Sequence, residues 1–262
     1  MSLFKLLFIF PLSLLLYLPA SFPPAQARAE TYIEVLPQSF APDQWRVLAP
    51  GLDMLELNLQ KSFAAEGQPA MRINVAPRSG QKQQGNFVIV RSDPEKCAYS
   101  LHMASEDGIR GTLPERMQKH KLYAAINAGM FLPDNLKNTG FMRNATHVNN
   151  GRIAENLGAF FLAGPRNKAL PKALILEKAD LGDMLTDKIA SYDIVIQNFR
   201  LINGAGKLLW PESREANSIS ALSADRNGNI LFIFSEIPLS AADFARVLLT
   251  LPLGTGLTMY LE

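Results

Sequence analysis

A β-hairpin pattern constrains the fold of this chain more than any other sequence feature. Two apolar-rich runs, Ser218–Ala224 and Asn229–Phe234, flank the turn-forming residues Asp225-Arg226-Asn227-Gly228. A turn of this composition between two strand-like runs is typical of adjacent antiparallel strands. The sequence therefore predicts an antiparallel sheet, to which the neighbouring segments must be added.

Further short apolar runs predict more strands, and only two segments have a helical pattern. The predicted strands are Leu52–Leu59, Asn86–Arg91, Cys97–Met103, Ala159–Leu162, Ala173–Leu176 and Asp193–Gln197, with a second strand after Gln197 that runs from Arg200 into the Asn203-Gly204 turn and a last one at Leu257–Glu262. The predicted helices are Leu181–Ala190 and Ser240–Leu251, and the second has capping-box spacing at Ser240 and Asp243 and ends before Pro252.

The arrangement of these elements predicts the fold class. Residues 61–85, rich in Gln, Gly and Lys, are predicted to form an exposed loop or a weak hairpin. No linker-like segment divides the rest of the chain, so we expect one domain over residues 30–262. The expected class is α+β, a single β-rich domain with a mixed or antiparallel sheet and a few helices.

The N-terminal residues resemble a secretory signal peptide. Lys5 precedes an apolar run from Leu6 to Leu18, and small residues follow at 25–29. This pattern predicts cleavage near Ala29 and a secreted or periplasmic protein. An uncleaved membrane anchor is the alternative, although the apolar run is short for a membrane-spanning helix and contains Pro11.

Charge and cysteine content exclude some classes of partner and bond. The sequence has 26 basic and 24 acidic residues, and segment 1–29 contains Lys5 and Arg28 but no acid, which leaves 26 − 2 = 24 basic residues against 24 acidic ones. A chain without net charge does not predict nucleic-acid binding. Cys97 is the single cysteine, so no internal disulfide is possible. We interpret it as a small buried residue rather than a reactive thiol.

Several common catalytic motifs are absent from the sequence. There is no Gly-x-Ser-x-Gly elbow and no Walker-type phosphate loop. His102, His120 and His147 are scattered without zinc-site spacing, and no loop has EF-hand spacing. We therefore expect neither a metal site nor a cofactor.

Polar residues that follow apolar runs are the candidate functional residues. Asn127 follows Tyr123–Ile126 and precedes Ala128 and Gly129, small residues that allow a ligand to approach the backbone. An ordinary turn is the alternative interpretation. Gln197 follows Tyr192–Ile196 in the same way.

A polar segment follows Asn127. It contains Gly140, two arginines and four asparagines, namely Arg143, Arg152, Asn138, Asn144, Asn149 and Asn150. These side chains provide enough hydrogen-bond donors to bind a sugar or a phosphate. A long polar surface loop is the alternative.

The order of these motifs resembles the phosphodiester glycosidase family. The resemblance is carried by Ile126–Phe131, by Gln197 with the later Leu201–Gly204, by the hairpin at 218–228, by the helix at 243–245 and by Tyr260-Leu261-Glu262. It extends over roughly residues 45–262. The family includes the animal lysosomal enzyme that removes N-acetylglucosamine from mannose 6-phosphate tags, and secreted bacterial proteins associated with exopolysaccharide.

The resemblance implies roles for particular residues. Glu262 would be the catalytic carboxylate, with Asn127 positioning sugar hydroxyls and Asp225 as a second carboxylate, although Asp-x-Asn-Gly also forms an ordinary turn. The implied substrate-binding residues are Gly129, Gly140, Arg143, Asn149, Gln197, Arg214 and Ser220.

The sequence departs from the family pattern at two places. The family continues Leu-Asp/Glu with Gly-Gly, whereas the sequence ends at Glu262, so we expect a truncated domain, with a degraded copy of the family domain as the alternative. Many members have an arginine directly before the strand that holds Ser218–Ser220, where this chain has Glu215-Ala216-Asn217. Arg214 or Arg143 would then bind the phosphate.

The resemblance implies a secreted glycosidase that hydrolyses a sugar-1-phosphodiester in envelope or extracellular glycans. One alternative is a non-catalytic envelope protein that binds a glycan or phosphoglycan through the same polar surface. Another is a structural secreted domain whose polar loops are only solvated.

Overall fold

Antiparallel strands form most of the regular structure. The structure, a computed structural model, describes residues 31–35, 45–60, 71–75, 84–134, 136–213 and 215–262. The strands are β1 (Thr31–Val35), β2 (Arg46–Ala49), β3 (Leu52–Gln60), β4 (Met71–Val75), β5 (Gln84–Ser92), β6 (Met142–Asn144), β7 (His147–Asn150), β8 (Ala159–Pro165), β9 (Ala173–Glu177), β10 (Tyr192–Ile202), β11 (Asn217–Asp225), β12 (Ile230–Leu239) and β13 (Thr255–Tyr260). The helices are α1 (Ala104–Asp107), α2 (Leu113–His120), α3 (Leu185–Ala190) and α4 (Ala241–Thr250), with 3-10 turns at Lys178–Asp180 and Gly182–Met184.

The hairpin lies in the middle of the main sheet. Within the described residues the strand order is β2-β3-β5-β12-β11-β13-β10, and every paired neighbour is antiparallel. Strand β10 pairs with β8 and β6 over Tyr192–Asn198 and with β13 over Phe199–Ile202. Strand β8 also pairs with β9, and β6 forms a hairpin with β7. Strands β1 and β4 form a separate two-stranded ladder. The predicted class, a single β-rich domain with a few helices, is confirmed.

Two apolar cores lie on opposite faces of the central strands. On one face, α4 packs Phe244, Val247 and Leu248 against alternate residues of β5, β11 and β12. On the other face, β8 and β9 fold over β11 and β13, and Met259 and Leu261 are buried there. The two-residue period of a strand thus divides its side chains between the two cores.

The predicted helix at 240–251 is confirmed as α4, together with its cap. Ser240 Oγ accepts a hydrogen bond from the Asp243 backbone N–H at 3.1 Å and donates one to Asp243 Oδ2 at 2.7 Å. This pairing satisfies a backbone donor that the first helical turn leaves free.

The strand predicted at Cys97–Met103 is wrong. These residues have no strand structure, yet Leu101 and Met103 are buried, whereas Ala98 and Ser100 before them are exposed. The apolar alternation arises because the segment packs on the second core without pairing its backbone to another strand. Cys97 is half-buried, its Sγ donates to Gly51 O at 3.2 Å, and burial raises the pKa of its thiol.

Other boundaries differ from the sequence prediction. β10 is one continuous strand through Gln197 rather than two, and the helix predicted from Leu181 begins as an α-helix only at Leu185, after Gly182 with a φ of 48°. Strand β4, within the predicted loop or hairpin 61–85, pairs with β1, and segments 61–70 and 76–83 lie outside the described residues. The sequence did not predict β1, β2, β6, β7, α1 or α2.

The signal-peptide segment, residues 1–29, lies outside the described residues. Within the part of the chain that the structure describes, every helix is too short or too polar to cross a bilayer.

Candidate functional site

Three of the residues singled out in the sequence form one hydrogen-bonded chain. Ser220 Oγ donates to Asn127 Oδ1 at 2.5 Å, and Asn127 Nδ2 donates to Glu262 Oε2 at 2.5 Å. This pattern fixes the orientation of the Asn127 amide, because the flipped amide would direct an oxygen at the carboxylate. The result is a carboxylate held by an amide that is itself held by a hydroxyl.

A β-bulge orients Glu262 towards Asn127. Ser220 of β11 lies opposite two residues, Leu261 and Glu262, which follow β13. Its N–H donates to Glu262 O at 2.8 Å, while the N–H groups of Leu261 and Glu262 donate to Ser220 O at 3.0 and 3.4 Å. Two residues facing one interrupt the regular alternation of side chains, and bulges redirect side chains in this way beside functional sites.

The loop that carries Asn127 is held by buried amides. Asn198, fully buried on β10, donates from Nδ2 to Ala128 O at 2.9 Å. Gly129 has a φ of 155°, and a Cβ at this position would lie 2.6 Å from Asn198 Nδ2 and 2.7 Å from Asn138 Oδ1. Only glycine fits there, which explains the small residues after Asn127 and gives Gly129 a packing role.

The hydrogen-bonded chain lines a cleft of about 440 Å³. The residues that line it are Asn127, Asn217, Ser218, Ser220, Phe234, Tyr260 and Glu262. Burial and, to a smaller extent, the charge of Glu262 raise the pKa of the Tyr260 phenol. No lysine or arginine belongs to this lining among the described residues.

The cleft also contains residues that the sequence did not single out. Asn217, Ser218, Phe234 and Tyr260 lie on the strands of the predicted hairpin and on β13. Their proximity to Ser220 follows from the strand register, since Ser220 lies opposite Phe234. Side chains two residues apart in a strand lie on the same face, so Ser218 could have been found from Ser220.

Asp225 lies in the hairpin turn. Its Oδ1 accepts from the backbone N–H groups of Asn227 and Asn229 at 2.8 and 2.9 Å, and its Oδ2 accepts from Asn229 Nδ2 at 2.8 Å. Five residues of strand separate it from Ser220, on the order of 16 Å. Asp225 therefore forms the ordinary turn and does not join the Glu262 cleft.

Gln197 is fully buried, and its amide is saturated by the protein. Its Oε1 accepts from Phe141 N and Ala154 N at 3.1 and 2.9 Å, and its Nε2 donates to Ala154 O and Leu157 O at 2.7 Å each. Gly140 packs against it, because a Cβ on Gly140 would lie 2.8 Å from Gln197 O. These residues hold the loop between β7 and β8, and the amide has no free donor for a sugar.

Arg143 and Asn149 are likewise engaged within the protein. Arg143 Nη2 donates to Ile189 O at 2.6 Å and Tyr192 O at 2.5 Å, and burial lowers the pKa of its guanidinium. Asn149 accepts from Asn138 N at 2.7 Å and donates to Leu136 O at 2.7 Å. Arg214 lies outside the described residues.

A second hollow of about 550 Å³ lies between residues 99–102, α1, α2 and the β6–β7 turn. Its carboxylates already have partners, since Asp107 pairs with Arg116 and Asp193 with Arg166. His102 and His120 stack there with ring centroids 3.8 Å apart. No group of three side chains suited to a metal ion occurs among the residues that the structure describes.

Comparisons with known proteins show a relationship of fold. No protein-family model matches the chain, and no curated protein matches it. A hypothetical protein from Synechocystis superposes with a TM-score of 0.53 at 16% identity, over 81% of this chain and 56% of that one. The catalytic domain of zebrafish N-acetylglucosamine-1-phosphodiester alpha-N-acetylglucosaminidase, auto-inhibited by its pro-peptide, superposes with a TM-score of 0.52 at 12% identity, over 92% and 78%.

The fold resembles that of a glycosidase domain. At these identities the likeness concerns the fold alone, and this chain spans just over half the length of the Synechocystis protein. Fold does not determine chemistry, so function has to be argued from the Glu262 cleft.

Proposed function

We propose that this protein is a secreted glycosidase that hydrolyses a sugar-1-phosphodiester, with Glu262 as its catalytic carboxylate. One observation carries the proposal: the hydrogen-bonded chain Ser220–Asn127–Glu262 lines a cleft in a fold similar to that of a phosphodiester glycosidase domain. A carboxylate held in one orientation at a cleft wall is suited to act on a bound reactant.

Hydrolysis of a sugar-1-phosphodiester depends on one carboxylate more than on a pair of carboxyl groups. Water forms a bond to the anomeric carbon, the bond from that carbon to the phosphate oxygen breaks, and the phosphate leaves with the electron pair. The anomeric carbon becomes positively charged on the way, as in other glycoside hydrolyses. Glu262 would accept the proton of the water and stabilise that charge. A phosphate is a good leaving group, so a strong general acid is less necessary.

Asn127 and Ser220 would act by positioning the carboxylate. Glu262 Oε2 accepts from Asn127, and among the described residues none donates to Oε1. In this arrangement Oε1 is the oxygen available to water or substrate. We further propose that Arg214, three residues before Asn217 in the sequence, binds the phosphate, because Arg143 is engaged with backbone carbonyls.

A non-catalytic glycan-binding protein is the second candidate function. The observation in its favour is the lack of a lysine or arginine in the cleft lining among the described residues, where Glu262 would repel a phosphate. Such a protein would bind sugar hydroxyls through the same asparagines and serines without releasing a product.

The test is turnover of a small N-acetylglucosamine-1-phosphodiester by the wild type and by Glu262→Gln. Glutamine keeps the size of the side chain and removes its charge, so we expect turnover to fall by about a hundred- to ten-thousand-fold. Glu95→Gln, which removes an exposed carboxylate in the turn after β5, is the matched control and should retain wild-type turnover.

Equal turnover by Glu262→Gln and wild type would rule out the catalytic assignment. Sugar binding without any release of product by the wild type would instead support the second candidate.

A further inference from the structure

Phe234 is an exposed aromatic side chain within the Glu262 cleft. Strand β12 alternates between faces, with Ile233, Ser235 and Ile237 buried towards α4. On the opposite face, Phe232 is covered by Tyr99, whose ring centroid lies 6.5 Å away, whereas Phe234 is 40% exposed. The segment 97–103, which contains Tyr99, thus covers Phe232, whereas Phe234 stays open to solvent.

The strand register places Phe234 beside the catalytic carboxylate. Phe234 lies opposite Ser220 on β11, and Ser220 lies opposite Leu261 and Glu262 in the bulge. Neighbouring strands are about 4.8 Å apart, so the backbones of Phe234 and Glu262 are about 10 Å apart, with Ser220 between them. A ring-sized ligand on Phe234 would therefore reach Glu262.

The rest of the cleft lining is polar and, apart from Glu262, carries no formal charge among the described residues. Asn217 and Ser218 are both exposed on β11 and provide an amide and a hydroxyl. Single exposed apolar residues are common on protein surfaces and need no explanation. An aromatic face in a concave site, bordered by neutral donors and acceptors, is the usual composition of a small-molecule site.

We propose that Phe234 is the stacking platform for the pyranose ring of a neutral sugar, whose hydroxyls bind Asn217 and Ser218 and whose anomeric carbon faces Glu262. One face of a pyranose carries C–H groups with slight positive charge, and the face of an aromatic ring is negative, so the two attract as they lose water. This inference rests on the proposed function and adds the group that holds the sugar part of the substrate.

The experiment measures sugar binding directly and does not depend on turnover. N-acetylglucosamine, methyl glucoside and methyl galactoside are titrated into wild type, Phe234→Ala and Phe234→Trp, with affinity followed by NMR shifts. We expect Phe234→Ala to weaken the best-bound sugar by about five- to tenfold, and Phe234→Trp to stay within about twofold of wild type. Leu249→Ala, which truncates a similarly exposed apolar residue on α4, is the matched control and should bind as wild type.

The outcomes separate this inference from the proposed function. Loss of sugar affinity in Phe234→Ala, with no hydrolysis by the wild type, supports the platform while the proposed function fails. Hydrolysis by the wild type with unchanged sugar affinity and KM in Phe234→Ala overturns the platform and leaves the proposed function standing. Binding of none of the three sugars by the wild type also overturns it.

Discussion

Two amide side chains with similar sequence settings have opposite environments. Asn127 and Gln197 each follow a short apolar run, and both were predicted to contact a sugar. Asn127 reaches the cleft, whereas Gln197 bonds to Phe141, Ala154 and Leu157 in the interior. The sequence could predict that both amides follow apolar strands. It could not predict which of them is covered, because the groups that cover Gln197 are 40 to 56 positions away.

At the residue scale we expect Gln197→Leu to lower the free energy of unfolding by about 3 kcal/mol or more. The substitution removes the side-chain partner of the Phe141 and Ala154 N–H groups and of the Leu157 carbonyl, whereas Ala154 O keeps Lys178 Nζ. Each buried group left without a partner costs about 1–3 kcal/mol. The measurement is chemical denaturation at constant m-value. Gln118→Leu, exposed on α2, is the control and should stay within about 0.5 kcal/mol of wild type. A loss below about 1 kcal/mol in Gln197→Leu would contradict this account of the interior.

At the scale of the element, sequence patterns predicted the strands and helices whose structure depends on residues close together in the sequence. The β11–β12 hairpin and α4 depend on a turn and a cap that lie within them, and both were confirmed. Residues 97–103 were assigned to a strand because they form a short run containing apolar residues after a turn-like segment, although they pack on a core and do not pair with another strand. The exposure of Phe234 could not be predicted either, since it depends on the tertiary packing of Tyr99 on Phe232 rather than on Phe234.

Residues 97–103 and α2 meet where His102 stacks on His120, and this pair predicts a pH dependence of stability. Burial, followed by the charges of His120 and Arg116, lowers the pKa of His102 from its ordinary value of about 6.5. The folded protein then binds this proton more weakly than the unfolded chain does. The stabilising contribution of neutral His102 is therefore complete above about pH 6.5 and is lost as the pH falls through the lower folded pKa.

We expect the denaturation midpoint of the wild type to fall between pH 7.5 and pH 5 by more than that of His102→Gln. Glutamine cannot be protonated in this range, so the variant lacks the penalty of charging a ring against His120. His147→Gln, which removes an imidazole outside the stacked pair, controls for the loss of a histidine as such. The same pH dependence in wild type and His102→Gln would exclude this origin.

At the scale of the whole molecule, the sheet brings segments that are distant in the sequence to one cleft. Asn127 lies 93 positions from Ser220 and 135 from Glu262, yet it bonds to both. The loop of Asn127 depends on Asn198 of β10, and β10 pairs with β13, which leads to Glu262. The order of motifs along the sequence indicated a common site, whereas the hydrogen bonds within it required the assembled sheet.

The central claim is that Asn127 and Glu262 act together in hydrolysis, and a double-mutant cycle tests it most directly. The values of kcat/KM for a small N-acetylglucosamine-1-phosphodiester are measured for wild type, Asn127→Ala, Glu262→Gln and the double variant. If Asn127 acts by holding the carboxylate, its removal matters little once the carboxylate is gone. We predict that the double variant stays within about twofold of Glu262→Gln, with a coupling energy of about 1–3 kcal/mol. The account would be contradicted if the loss of kcat/KM in the double variant equalled the product of the losses in the two single variants. It would also be contradicted if the wild type released no sugar.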